Sequence, residues 1–395
     1  MTASPTAPGT DVNEALRPRR PYTPLARMPV ARLEVWMRKY YFATEIDTGG
    51  SGVEDYALAD LRRILGLAWE ELDGIVFHDS QTLGGEVLRQ AIAARWGGGD
   101  AHRVMATHGS TEATFLLLSA LLAPGDEVVV TDPCYPQLHL IAEAMGCRMA
   151  RWPLRRERGF VPEIDEGLGL IGPRTRLIVL NFPHNPTGAT LAPEGLAALV
   201  AAAAKVGAYL LWDDAFGALT YDAPPLPDPT LLYERAILIG TLSKAYGLPG
   251  LRVGWCVAAP EVLDRCVRLR DYTTLHLSPL VERIASAAIA GTEALVGPRL
   301  AQARANRATV LAWIAERGDL EAAAPRGGVT LFPRLPPALD VEAFCHRLAR
   351  EEKVLLVPGS CFGHPQHVRL GFGGPAAALQ EGLARCGRLL DLAAR

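Results

Sequence analysis

No apolar run in this 395-residue chain approaches the roughly 20 residues that a bilayer-spanning helix needs, so no membrane span is expected. Charge is nearly balanced: 40 Lys and Arg stand against 43 Asp and Glu, a formal net charge of −3. That balance gives no long-range attraction to nucleic acid or to an acidic membrane surface. No CxxC pair occurs. The seven cysteines (Cys134, Cys147, Cys256, Cys266, Cys345, Cys361 and Cys386) are scattered and odd in number. They read as reduced, mostly buried thiols, and neither a disulfide framework nor a metal site is expected. Residues 1–20 are polar and Pro-rich, without the apolar centre of a secretion signal. We read 1–28 as a disordered or extended tail on a cytoplasmic protein. No internal repeat is seen and, past that tail, no low-complexity tract.

What is present is a chain with 49% hydrophobic residues, 38 Gly and 30 Pro, which suits a globular α/β protein with many tight turns. Its length allows a large core with a smaller satellite. Residues 29–75 are expected to form the N-terminal part of the smaller domain, 76–290 the large domain and 291–395 the rest of the smaller one. Apolar runs at 128–131, 176–181, 208–212, 236–240 and 254–258 read as strands. Helical patterns at 112–122 and 193–206 alternate with them, which implies a mostly parallel sheet covered by helices. Helical spacing also marks 31–41, 57–65, 85–96 and most of 260–310. Short strands of a smaller α+β domain are expected at 327–332, 354–358 and 367–372.

The densest chemistry lies in TLSKAYGLPGLR (241–252). Lys244 falls just past the carboxyl end of the 236–240 run, where ligand sites of open α/β sheets sit. A lysine desolvated there has a lowered pKa and attacks carbonyls. Thr241, Ser243 and Arg252 add hydroxyls and a fixed cation, groups that hold a phosphate. A nucleophilic lysine beside a phosphate pocket points to pyridoxal 5′-phosphate (PLP) held as a Schiff base. A surface lysine in a Gly-rich loop would carry the same residues. Gly109-Ser110-Thr111 precedes a helix, where backbone N–H groups and hydroxyls either meet an anion or form an ordinary cap. Tyr135, Asn185, Asp213 and Lys244 each follow a strand, and four such residues at carboxyl ends form the pattern of a cofactor site. Arg369, in a short apolar strand, needs either a substrate carboxylate or a structural ion partner. Gly49-Gly50-Ser51-Gly52, followed by Glu54 and Asp55, permits close backbone approach to a ligand and is equally the composition of a surface loop.

Taken in order, GSTEA (109–113), DPCYP (132–136), NFPHNPTG (181–188), WDDAF (212–216), TLSKAYGLPGLRVGW (241–255) and HVRLGF (367–372) resemble the class I/II aminotransferase family of fold-type I PLP enzymes. The resemblance implies a large domain with a mostly parallel, seven-stranded type of sheet, a smaller α+β domain, PLP as cofactor, and a homodimer with sites at the interface. It implies that Lys244 is the catalytic lysine that carries the cofactor. Asp213 would pair with the ring nitrogen, Asn185 would contact the ring 3-oxygen, and Tyr135 would stack on the ring. Ser110, Thr111, Thr241 and Arg252 would hold the phosphate, and Arg369 the α-carboxylate of an amino-acid substrate. The fold itself hosts many reactions. Two positions depart from the family pattern. Phe216 stands where a tyrosine usually donates to the ring oxygen, which implies a more basic oxygen. Phe77-His78-Asp79 has no tyrosine where the family usually sends one to the partner subunit's phosphate.

The segment RLEVWMRKYYFATEIDTGGSGVEDYALADLRRIL (32–65) is similar to the capreomycidine synthase group and to related streptolidine-forming cyclases of antibiotic biosynthesis. Those enzymes act on hydroxylated arginines. The implied chemistry is loss of a β-hydroxyl after Lys244 removes the α-proton, then addition of a guanidine nitrogen to the β-carbon. A buried guanidinium needs an anion. Glu54 and Asp55 are the candidates, with Asp271 behind them. A plain aminotransferase on an amino acid such as an aromatic one or aspartate is the alternative reading. An effector domain of a transcription regulator is disfavoured, because no helix-turn-helix or basic patch precedes the fold.

Overall fold

A computed structural model describes residues 28–393. All but the last residue of the expected 1–28 tail therefore lie outside the described residues. The apolar runs assemble into one seven-stranded sheet, in spatial order 104–107, 254–257, 236–241, 209–213, 175–181, 127–132 and 148–153. The four pairings from 236–241 across to 148–153 are parallel, and Gly254–Val257 runs antiparallel to both of its neighbours. Ala236–Thr241, Tyr209–Asp213 and Val104–Thr107 are buried at every position. Sandwiching on both faces is why these strands read as unbroken apolar runs rather than alternating ones. Ile237 and Ile239 join one apolar cluster with Leu116 and Leu117 of the helix Gly109–Leu121. Ala236 and Leu238 join the other, with Leu196 and Leu199 of the helix Pro193–Val206.

Two smaller sheets lie toward the chain's ends. Ile46–Asp47 pairs in parallel with Val354–Leu355. Val357–Pro358, Val368–Gly371 and Thr330–Leu331 form an antiparallel set. The run expected as one strand at 354–358 is thus divided between two sheets, with Leu356 between them. The strand expected at 327–332 shrinks to Thr330–Leu331.

The N-terminal helix, Arg32–Tyr40, buries Leu33, Trp36 and Tyr40 along one stripe. Trp36 Nε1 donates to the Leu356 carbonyl at 3.0 Å, and Arg32 pairs with Glu342 at 3.3 Å. All seven cysteines are free, and Cys147 is the one that is not buried. Among the described residues, no helix is long and apolar enough to cross a membrane.

Candidate active site

Adjacent strands of the large sheet end at Asn181, Asp213 and Thr241. Their carboxyl ends are tied together by side chains. Asn181 Oδ1 accepts the Asn185 N–H at 2.9 Å, and its Nδ2 donates to the Asp213 carbonyl at 2.9 Å. Buried His184 bridges the hydroxyls of Thr131 and Thr187 at 3.2 and 2.8 Å. Burial pushes its pKa down to about 3, so the ring stays neutral and fixes the Asn185 loop. Thr241 Oγ1 accepts the Ser243 N–H at 3.1 Å and lies 3.1 Å from the Val253 carbonyl.

The helix that carries Ser110 and Thr111 starts at Gly109, three residues before the expected Glu112. Gly109 has φ +74°, which turns the chain into the helix directly from the strand end. Those three residues were read as a preceding cap because Gly, Ser and Thr are weak helix formers. A Cβ at Gly109 would lie 2.7 Å from the Arg252 guanidinium, so a side chain there would push that cation away from the helix start.

Two cavities result. The inner one, about 370 Å³, is lined by Ser110, Thr111, Asn185, Asp213, Phe216, Thr241 and Arg252. The outer one, about 510 Å³, is lined by Ser51, Glu54, Asp55 and Arg369 among others. Glu34, Tyr135, Ser243 and Lys244 line both, and so mark the junction. Every site residue expected from the motifs therefore borders one continuous region.

Burial, reinforced by the Arg369 guanidinium, brings the Lys244 amine down to about 8. Its Nζ donates to Ser51 Oγ at 3.0 Å. Ser51 belongs to the glycine run, which is no free loop. Val53 N–H donates to the Lys244 carbonyl (3.2 Å), Gly371 N–H to Thr48 (2.8 Å), and Glu54 N–H to Gly373 (2.9 Å). The approach is so close that a Cβ at Gly371 would fall 1.9 Å from the Gly50 carbonyl oxygen.

Asp213 is 6% exposed and accepts the Ala215 N–H at 3.0 Å, with no ion-pair partner among the described residues. Burial pushes its pKa up to about 6. Arg369 is 2% exposed and donates to the Gly49 carbonyl (2.8 and 3.1 Å) and to Asn185 Oδ1 (3.3 Å). No carboxylate pairs with it among the described residues, so the structural ion pair weighed above is not found. That leaves the Asn185 amide nitrogen as a donor toward the inner cavity.

The structure places the three acids expected to face a guanidinium as follows. The Glu54 carboxylate is engaged by Arg299 Nη1 (3.0 Å) and Gln302 Nε2 (2.8 Å) of the helix Thr292–Arg317, and so is not a free anion. The Asp55 carboxylate has no ion-pair partner among the described residues and belongs to an exposed residue; partial burial and nearby Asp47 raise its pKa. Asp271, at the C-terminal end of the helix Pro260–Arg270, lines neither cavity. Phe216 is buried in the inner wall, while Phe77 is 73% exposed and Asp79 bonds His276 at 3.1 Å, away from both cavities. Glu34, Ser51, Gln137 and Asn181 were not anticipated, whereas Ser243, expected beside Thr241, lines both cavities. Asn181 carried the same strand-end signal as its neighbours. Glu34 had a weaker one, an acid flanking the apolar stripe of its helix.

A buried carboxylate without a cation suits a cationic ring nitrogen. A desolvated amine suits an aldehyde. A helix start with Ser110, Thr111, Thr241 and Arg252 could hold a phosphate. Those demands together fit PLP, and on a mostly parallel sheet they define a PLP-dependent enzyme. The model of the family "Aminotransferase class I and II" matches residues 61–385. Capreomycidine synthase of Streptomyces vinaceus is 47% identical over 371 residues, 93% of this chain and 95% of that protein. Arginine–pyruvate transaminase AruH of Pseudomonas aeruginosa is 32% identical over 322 residues, 78% of this chain and 81% of that protein. The crystal structure of the PLP-dependent cyclase OrfR aligns with a TM-score of 0.88 at 42% identity, over 96% of this chain and 100% of that one. The chain belongs to the class I and II aminotransferase family, and its cofactor is PLP.

Proposed function

We propose that this enzyme is a cyclase of a hydroxylated L-arginine, serving antibiotic biosynthesis of the capreomycidine or streptolidine type. The observation that carries the reading is the 47% identity to capreomycidine synthase along 93% of the chain. The balance is simple. A β-carbon–oxygen bond breaks, a guanidine nitrogen bonds to the same carbon, and one water leaves.

Bound PLP would withdraw electrons from the α-carbon of the amino acid it carries. The chain's own residues do the rest. Asp213, negative and buried, sets its charge against the ring nitrogen. Ser110, Thr111, Thr241 and Arg252 would hold the phosphate, Asn185 would donate to the ring oxygen, and Tyr135 would pack against the ring. Lys244, with its amine near pKa 8, anchors the cofactor and then takes and returns the α-proton. Arg369 clamps the α-carboxylate. Asp55 is an acid of the outer cavity without an ion-pair partner among the described residues, with Glu54 beside it, already engaged by Arg299. We further take the enzyme to be a cytoplasmic homodimer. Exposed Val76, Phe77 and Tyr272, at 69%, 73% and 91%, suit a surface that a second copy covers.

The likeness to an arginine–pyruvate transaminase keeps an aminotransferase as the second reading. Incubation with hydroxyarginines, without a keto-acid acceptor, separates the two. The cyclase releases, over many turnovers, a product lighter by one water. Stoichiometric keto acid with no dehydrated product would defeat the proposal.

A further inference from the structure

We propose that Glu34, on the helix Arg32–Tyr40, receives the substrate's guanidinium and holds it folded back over the reacting carbons, which makes it a specificity-determining residue. The inference rests on the cyclase reading above. Ring closure sets a geometric demand. The guanidine nitrogen must reach the β-carbon, one bond from the α-carbon that Lys244 serves. The anion that holds the guanidinium therefore belongs beside Lys244, at the junction of the two cavities. An anion at the outer rim would keep the side chain extended, with its nitrogens away from the β-carbon.

Five acids line the outer cavity, and Glu34 alone among them also lines the inner one. The others are spoken for or open to water. Glu45 pairs with Arg385 at 3.2 Å and Glu54 with Arg299 at 3.0 Å. Asp47 Oδ1 accepts the Gly49 and Gly50 N–H groups at 2.8 and 2.7 Å. Asp55 is exposed. Glu34 is half-buried, and its Oε1 accepts two long bonds from neutral donors, the Tyr135 hydroxyl at 3.4 Å and Gln137 Nε2 at 3.3 Å. Its Oε2 has no donor and no cation within ion-pair distance among the described residues. A partly desolvated carboxylate so weakly partnered has its strongest interaction still to make.

Glu34 is also mounted on the frame that carries Arg369. Trp36 of the same helix donates to the Leu356 carbonyl, and the next residue, Val357, is the strand partner of Arg369. An arginine derivative brings one carboxylate and one guanidinium. Arg369 and Glu34 are a cation and an anion without ion-pair partners among the described residues, and both line the outer cavity together with Lys244.

L-citrulline, the neutral isostere of L-arginine, provides the test. Holoenzyme would be titrated with each ligand and binding read from the cofactor's absorbance. The wild type is expected to bind arginine about tenfold or more tightly than citrulline, the effect of one charge-assisted contact. In Glu34→Gln that preference should fall to near unity through loss of arginine affinity alone. Glu34→Asp should retain part of it, and Asp55→Asn and Glu54→Gln most of it. An unchanged preference in Glu34→Gln, or its collapse in Asp55→Asn instead, would overturn the assignment and leave the cyclase reading standing. Equal weakening of both ligands would make Glu34 a support for Tyr135 and overturn it too. No preference in the wild type would overturn both.

Discussion

Asp213→Asn offers a test that reads the physics of the site without any turnover. In the cofactor-free protein the Asp213 carboxylate is buried and, among the described residues, accepts a single hydrogen bond, from the Ala215 N–H. Its pKa rises from 3.8 to about 6. Holding it charged therefore costs the folded apoprotein about 3 kcal/mol, at 1.36 kcal/mol for each tenfold change in proton affinity. The sign follows from linkage. The folded state binds this proton more tightly than the unfolded chain, so stability falls as pH rises from about 4 to about 6 and is level above that. Asparagine keeps the shape and the Ala215 contact and cannot ionise. Apo Asp213→Asn should accordingly be more stable than apo wild type by about 3 kcal/mol at pH 8, and by about 1 kcal/mol at pH 4.5. For a chain of 395 residues the larger figure corresponds to about 3–4 °C in Tm, readable by calorimetry at matched protein concentration. Reconstitution with PLP should abolish the advantage, because the wild-type carboxylate then has its cation while the amide does not. An apo variant no more stable than wild type at pH 8, or equally favoured at both pH values, would refute the reasoning.

The remaining predictions concern the lysine and the two cavities. Borohydride reduction of the holoenzyme should fix the cofactor to the peptide containing Lys244 and should label nothing in Lys244→Ala; mass spectrometry reads the outcome. Because the Lys244 amine lies near 8, the rate of PLP reconstitution should climb as pH rises through about 8, when the neutral amine forms, rather than near 10.5. Ser51→Ala removes an acceptor that favours the charged amine, so the midpoint of that profile should move down by about 0.7 pH unit, the equivalent of about 1 kcal/mol. Arg369→Ala should weaken L-arginine, L-citrulline and L-alanine alike, each by about 2–5 kcal/mol in a spectroscopic titration, because all three share the carboxylate. Glu54→Gln should shift stability by no more than about 1 kcal/mol, as its partly exposed pairing with Arg299 allows.

The inner cavity was legible in the sequence because its residues obey a local rule. Tyr135, Asn185, Asp213 and Lys244 each follow an apolar run, and a parallel sheet brings such ends to one edge. The outer cavity follows no such rule. Its walls come from 34–55, from the lysine loop and from 369–378, segments joined by backbone hydrogen bonds that no periodicity announces. The Gly49–Gly52 run looked like a surface loop because its glycines are needed for tight approach to Gly371 and Gly373, a contact more than three hundred residues away in sequence. Glu54 looked like a free acid for the same reason: Arg299, its partner, lies on a distant helix. Strand lengths at 327–332 and 354–358 were overread, since burial makes a short segment apolar whether or not it pairs along its length.

This division also bears on how one fold carries more than one reaction. Residues suited to the cofactor sit on strand ends of a sheet buried on both faces, where a change of position would cost core packing. Apart from Arg369 on the strand Val368–Gly371, residues suited to the substrate sit on the strap 48–55 and on the helix Arg32–Tyr40, which are bound to the body through the Lys244, Gly371 and Gly373 backbones and through Trp36. Substitutions in the strap or the helix can move an acid by one side chain and leave the sheet undisturbed. Ser51 links the two halves, since its hydroxyl belongs to the strap and its partner is the lysine itself. A shift of the strap therefore alters the environment of the amine and the shape of the outer cavity together. That gives evolution of this fold a route from amino-group transfer to ring closure through a short stretch of chain, with the inner cavity kept intact.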